Sequence, residues 1–371
     1  MNLIGCKAQV LAAGDLHDFS EWEELIDQAP ISDVYFRPGY VCAYEAAGHG
    51  KAIGLVLNSN HVQVLVPLLL RPLSDLPFAQ DEPGFDVASP YGYGGLLPLT
   101  SAEPPSQADV RALLDSLKQW CRDAGVVSCF IRLHPLMDQD CWLGTALLHE
   151  SATSLHYQAQ TVAVDLTRWD SALQRIAGLD KGIRLDLSRA TRILRVSWGG
   201  SEVPLSEALV LFRQIYEQRM VQLNAAPHYY FSAKYYGFLA ERLGSNVGVA
   251  LAWLEEELVG ASLFLAGREF AHYHLSGTNE KGRKFGATTL LINAAALWAR
   301  QRGCELLHLG GGVCGEDGVF KYKKGFGGPR FHHHTLHVIA DESRYQELME
   351  RRLRSESLPP PRQGFFPQYR A

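Results

Sequence analysis

Residues 282–328, GRKFGATTLLINAAALWARQRGCELLHLGGGVCGEDGVFKYKKGFGG, decide the reading of the chain. Gly282 and Gly286 stand in a loop that opens a long helical pattern, with Leu290, Leu291, Ala294, Ala295, Leu297 and Trp298 on its apolar side. Gly303 closes that helix, because a residue without a Cβ enters a left-handed cap at little cost. A short buried strand is predicted over 305–309, running into Gly310, Gly311 and Gly312. Phe320, Tyr322 and Phe326 follow, interleaved with Lys321, Lys323 and Lys324. Helix, strand, bare glycine backbone and a lysine–aromatic cluster together mark a candidate site.

Upstream, strands are predicted over 247–254, 258–266 and 270–276, the first two joined by the tight turn Glu255-Glu256-Glu257. The first half carries the same order. Strands over 53–57 and 61–70 meet at Asn58-Ser59-Asn60, which is hairpin chemistry. A helix over 107–124 stops at Gly125 and leads into a buried strand over 126–133. LKQWCRDAG (117–125) aligns with AALWARQRG (295–303), and GLVLNSNHVQVLVPLLL with ALAWLEEELVGASLFLA. Two matches in one order argue for a duplicated α/β unit. The segment SPYGYGG after 88 reads either as a surface turn or as a pocket wall. A strand over 332–340, a charged helix over 343–354 and an extended proline-rich tail complete the expectation. The units are placed at 1–157 and 158–345, with 346–371 as helix end and tail.

At 371 residues, with 47% hydrophobic and 20% charged residues, the chain has room for two domains with real cores. A formal charge of -5 excludes a globally basic nucleic-acid binder, and no DNA partner is expected. Seven cysteines without C-x-x-C spacing predict reduced, mostly buried thiols. With no signal-peptide pattern and no apolar run long enough for a bilayer, a cytoplasmic setting without membrane insertion is expected.

These features together resemble the FemAB type, tandem GNAT-fold aminoacyltransferases that build peptide bonds outside the ribosome. The resemblance rests on SPYGYGG, on KGIRLDLSRATRI, on IYEQRM followed by YYF, and above all on HYHLSGTNEKGRKFGATTLL with GCELLHLGGG and GEDGVFKYKKGFGG. It covers residues 35–337, and the chain has no heptads for the coiled-coil arm of some members. The implied fold is α/β (α+β): two tandem GNAT-like units, each a mixed, mainly antiparallel sheet flanked by helices. The GNAT diphosphate motif R/Q-x-x-G-x-G/A is met by Arg283 and Gly286, with Thr288 standing at its last place.

Acyl transfer to an amine needs a neutral amine, a held carbonyl and positive charge where the oxyanion develops. The resemblance implies Lys323, paired with Tyr322, as the lysine of the catalytic channel, with Phe326 beside it. Otherwise the three lysines are simply solvated. Arg184 and Arg192 share one helix face with Lys181, Ser188 and Arg195, a stripe fit for a diphosphate or an RNA backbone, or a solvated face. Tyr216 and Arg219 are implied beside an acceptor's phosphates, with Gln222 near the place where the family pattern has arginine. Arg37, Tyr44, Tyr91 and Tyr93 are the substrate-pocket candidates of the first unit, and Asp317 with Glu316 a minor candidate for the amine's proton. His332, His333, His334 and His337 alternate faces along a strand without a carboxylate or thiol at zinc spacing, so no metal is expected. No tightly bound cofactor is expected. The acyl donor is aminoacyl-tRNA or acyl-coenzyme A. The acceptor is a cell-wall peptide precursor, a small amine, or a sugar or peptide amine. A non-catalytic binding protein is the third reading.

Overall fold

The computed structural model describes residues 8–147, 152–169, 172–312, 315–355 and 358–371. Contacts divide the chain into two units, Met1–Gln158 with His333–Ala371, and Ala159–His332. The first unit begins with strands β1 (Gln9–Ala12), β2 (Lys51–Asn58), β3 (Gln63–Pro72), β4 (Phe85–Ala88), β5 (Leu97–Pro98) and β6 (Val126–Arg132). Its helices are α1 (Leu16–Gln28), α2 (Pro38–Ala46), α3 (Gln107–Asp123) and α4 (Gln139–Ala146). Strand β7 (Thr153–Asp165) leads into the second unit. That unit holds β8 (Arg195–Gly199), β9 (Val247–Leu254), β10 (Glu257–Ala266), β11 (Phe270–Thr278) and β12 (Leu306–Gly310). Its helices are α5 (Ala172–Ala177), α6 (Lys181–Ile193), α7 (Leu205–Gln222), α8 (Ala233–Leu243), α9 (Glu280–Phe285), α10 (Ala287–Gln301) and α11 (Gly318–Lys324). β13 (Arg330–Ile339) and α12 (Glu342–Arg354) return to the first unit.

Both units repeat one topology. In the first, β2 and β3 form an antiparallel hairpin, β4 adds antiparallel to β3, and α3 crosses to β6, which lies parallel to β4. In the second, β9, β10 and β11 are antiparallel, and α10 crosses to β12, parallel to β11. Within each unit the strand pairing is therefore mixed and mainly antiparallel. The Ser106 hydroxyl caps α3 by accepting the Asp109 N–H, and Val110, Leu113, Leu114, Leu117 and Cys121 put one apolar face on the sheet. In the second unit Leu291, Ala295 and Ala299 of α10 and Ile183, Leu187 and Ala190 of α6 close over Ala250, Phe264 and Leu307. The small alanines let the helices sit close to the strands.

Several expectations are corrected. The segment predicted as an open loop before the long helix is itself helical: α9 occupies 280–285, capped by Asn279, and Gly286 alone takes the left-handed turn into α10. The lysine–aromatic segment is helix α11, capped by Asp317. SPYGYGG is mostly buried, which removes the surface-turn alternative. Residues 333–345 group with the first unit, because β13 pairs antiparallel with β6 and α12 packs Tyr345 and Leu348 into a cluster with Leu73 and Val127. The end of the tail folds back: Tyr369 is buried in that cluster and its hydroxyl lies 2.7 Å from Ser128 Oγ. Of the five described cysteines, four are buried and Cys141 is exposed; Cys6 and Cys314 lie outside the described residues.

Candidate active site

Strands β11 and β12 pair in parallel only from Phe270↔Leu306 to His272↔His308. Beyond that point β11 runs on towards Thr278 while β12 ends at Gly310, so the backbone opens into a fork. Tyr273 is the first residue of β11 past the last pair, and Gly311 directly follows β12. Lys323 is aimed into this fork. Its Nζ donates to the Gly311 carbonyl at 2.7 Å and stands 5.8 Å from the Tyr273 ring centroid.

The orientation of Lys323 is set by the start of α11. The Asp317 carboxylate accepts the Phe320 N–H at 2.9 Å, and Phe320 is buried, which fixes the helix's roll. A Cβ on Gly312 would lie 2.5 Å from Asp317 Oδ1, so the carboxylate reaches its capping place only because residue 312 is glycine. Lys321 and Lys324 are exposed, and only Lys323 of the three turns inward. Burial lowers its ammonium to about 8, against the opposing pull of the Asp317 charge. The Tyr322 hydroxyl lies 2.8 Å from Thr289 Oγ1 on α10, and its ring meets Phe326 edge-on at 5.5 Å. Burial raises the Tyr322 phenol, which therefore stays neutral.

A second cationic feature comes from α7 and α9. Burial, then the charge of Arg283, lowers the basicity of Arg219, so the two guanidinium groups act on one another. Arg219 donates to Gln222 Oε1 at 3.2 Å and Arg283 to the Thr278 carbonyl at 3.1 Å. Among the described residues neither has a carboxylate partner. Two unneutralised arginines at one place suit an anionic group. Tyr216 of α7 is buried, stacked on Phe212 and donating to the Tyr229 carbonyl at 2.9 Å. Arg184 and Arg192 are exposed on α6, held to the Ala177 carbonyl at 3.2 Å and to Ser188 Oγ at 3.0 Å. Gly286 is buried against α6: a Cβ there would stand 3.3 Å from the Asp186 carbonyl oxygen and 3.5 Å from its Cβ.

The first-unit candidates fall into two places. Tyr44, Tyr91 and Tyr93 belong to one tyrosine cluster, in which the Tyr40 hydroxyl lies 3.2 Å from that of Tyr44 and also donates to the Tyr91 carbonyl. Tyr35 meets Tyr40 and Tyr93 edge-on at 4.9 and 5.9 Å. Arg37 stands outside this cluster, because Glu23 and Asp27 of α1 take its guanidinium, the latter at 2.7 Å. His333 packs on Tyr93, while His337 lies 3.0 Å from Thr335 Oγ1; burial first lowers both imidazoles, to about 3.

Sequence patterns singled out the backbone of Gly311 but not Tyr273 or Thr289, each of which contacts the lysine or its neighbour. They also missed the buried His272 and His308, whose Nδ1 atoms are 3.4 Å apart at the fork, and the buried Asp33–His134 pair at 2.6 Å. These residues sit in ordinary strand or turn patterns, and only strand pairing or long-range packing brings each to its partner.

Residues 180–324 match the family model described as an acetyltransferase (GNAT) domain. The structure of FemX superposes with a TM-score of 0.67 at 12% identity, over 89% of this chain and 98% of that one. Residues 180–324 carry the GNAT match, and the chain shares the fold of FemX. The lysyl-phosphatidylglycerol synthase fold is similar too. L-PGS from Bacillus licheniformis gives a TM-score of 0.52 at 13% identity, over 91% and 96% of the two chains. The C-terminal domain of a putative lysylphosphatidylglycerol synthetase from Agrobacterium fabrum gives 0.53 at 12%, over 89% and 96%. No curated protein matches by sequence. The domain match supports an acyltransferase, and Lys323, Arg219, Arg283 and Gly286 all lie inside it. Among the described residues, no helix is long and apolar enough to cross a membrane.

Proposed function

We propose that this protein is a FemAB-type acyltransferase that moves an aminoacyl group from charged tRNA to the amine of a cell-wall peptide precursor or a small amine. One observation carries the reading: a buried ammonium, Lys323, points into the fork of β11 and β12, held by a backbone carbonyl and flanked by Tyr273. The donor ester is already activated, so no protein nucleophile is required. The neutral amine attacks the ester carbonyl and forms the C–N bond. The carbonyl oxygen gains negative charge, which the Lys323 ammonium stabilises in low-dielectric surroundings. Collapse breaks the ester C–O bond; the ribose oxygen leaves and takes up the proton that the amine gives off. Tyr322, pinned to Thr289, and Phe326 keep the lysine stem in place. Arg219 and Arg283 are assigned to a phosphate of the acceptor, and the exposed Arg184 and Arg192 to the RNA backbone. The tyrosine cluster of Tyr44, Tyr91 and Tyr93 is assigned to the substrate pocket of the first unit.

The second reading, a coenzyme A-dependent N-acyltransferase acting on a sugar or peptide amine, is favoured by the acetyltransferase description of the matching domain and by Arg283. Against it stands the turn at Gly286. Asp186 and Ala190 of α6 pack against its Cα, 3.3 to 3.7 Å from where a Cβ would stand, which narrows one side of the turn that would hold a diphosphate. A non-catalytic binding role leaves the cost of burying the Lys323 ammonium without a purpose.

The purified chain incubated separately with charged tRNA and with labelled acetyl-coenzyme A, over a panel of amine acceptors, separates the three. Label moving from tRNA to an amine supports the proposal, and Lys323→Met should then lower turnover about 10²–10³-fold, the scale for one oxyanion donor. Transfer from coenzyme A alone rejects the donor, and transfer from neither rejects catalysis.

A further inference from the structure

A second concavity of the Ala159–His332 unit lies along the C-terminal half of α10. Trp198 of β8 and Trp298 of α10 form its wall, their rings stacked at 5.5 Å and 15°. Leu205, Val247 and Leu297 complete an apolar lining around a cavity of about 700 Å³. That volume suits a small organic molecule. Leu297 is 42% exposed at this lining, so the cavity opens to solvent. At 1.5 Å per residue, Trp298 stands about 13 Å along the helix axis from Thr289, the partner of Tyr322. The cavity is therefore separate from the lysine fork.

Among the described residues, Arg302 is the one charged residue of the cavity lining, and the Glu202 carboxylate accepts the Trp198 backbone N–H at 3.2 Å beside it. Arg302 lies at the rim with its guanidinium 5.0 Å from the Trp298 ring, and it gives one N–H to the Ser245 carbonyl. The lining contains no carboxylate, and among the described residues Arg302 has no ion-pair partner. The indoles of Trp22, Trp169 and Trp253 each donate to a protein oxygen. Those of Trp198 and Trp298 donate to none among the described residues, as is also true of the half-buried Trp120 and Trp142, so their N–H groups alone do not mark a ligand. A solvent-open apolar lining with one cation that lacks an ion-pair partner at its rim forms a complementary set for a flat apolar body that ends in an anion. We propose that this cavity binds an aromatic carboxylate, its ring against the tryptophans and its carboxylate on Arg302. The site stands independently of the acyl-transfer reading.

The test uses the full chain, with calorimetry and tryptophan fluorescence, and 2-naphthoate against neutral 2-naphthylmethanol. Micromolar binding of naphthoate with at least tenfold preference over the alcohol is expected. Arg302→Gln should remove that preference while leaving the alcohol's affinity unchanged. Leu297→Glu, a change at an exposed position, should abolish naphthoate binding by placing like charge at the lining, with the far-UV spectrum unaltered. The proposal is overturned if naphthoate fails to bind at millimolar concentration, if the alcohol binds equally well, or if Leu297→Glu binds as the native chain does. A dimer in sedimentation that Leu297→Glu dissociates, without naphthoate binding, also overturns it and assigns the cavity to a second copy.

Discussion

Replacing Lys323 with methionine tests the burial of the ammonium without any substrate. Burial lowers this amine from its ordinary 10.5 to about 8. At 1.36 kcal/mol per decade, that difference corresponds to about 3 kcal/mol of destabilisation while the group is charged in both states. The sign follows from proton binding. Between pH 8 and 10.5 the unfolded chain holds more protons at this site than the folded one, so stability rises with pH across that window. Below pH 8 the cost is present in full, and above 10.5 it is gone. Lys323→Met removes the cost at every pH and also removes the bond to the Gly311 carbonyl, worth about 1 kcal/mol. The variant should therefore be more stable than the native chain by about 2 kcal/mol at pH 7 and less stable by about 1 kcal/mol above pH 10.5. Urea unfolding of both proteins from pH 6.5 to 10.8 measures the difference, in which all other titrations cancel. The exposed Lys324→Met serves as control and should run parallel to the native curve. Parallel curves for Lys323→Met would refute the reasoning, since they would mean a solvated ammonium.

If Lys323 works as a cation, turnover should be present below about pH 8 and lost as pH rises through that value; Lys323→Arg should carry activity to higher pH, and a rate rising through pH 8 would make the amine a base instead. Gly312→Ala should push Asp317 off the α11 cap, costing about 1 kcal/mol of stability and lowering turnover through a displaced Lys323, read by urea unfolding and single-turnover kinetics. Arg184→Glu with Arg192→Glu should weaken charged tRNA binding and flatten its dependence on log salt, whereas an unchanged slope would return both residues to solvated surface.

The repeated α/β unit was legible because it is written in local patterns. Apolar residues at helical spacing, an Asn-Ser-Asn turn and glycine stops recur in the same order in both halves, and hairpin pairing, α3 and α10 follow from them. The glycine run before KYKK likewise placed bare backbone and cations in one segment. It could not say which lysine turns inward, because that depends on the roll of α11, fixed by Asp317 and buried Phe320. The diphosphate motif shows the converse. Arg283 and Gly286 stand in register for a ligand, and only the fold shows that the Cα of Gly286 packs against Asp186 and Ala190 of α6, about a hundred residues earlier. Arg37 reads as a free cation until α1 brings Glu23 and Asp27 to it. The tail's proline content spoke for extension, but Tyr369 finds an apolar cluster to enter. Local spacing determines which elements form, since it acts through nearest neighbours on the backbone. Which side chains meet at the fork, and which charges are already taken, depends on contacts between residues tens to hundreds of positions apart. Only the folded chain decides those.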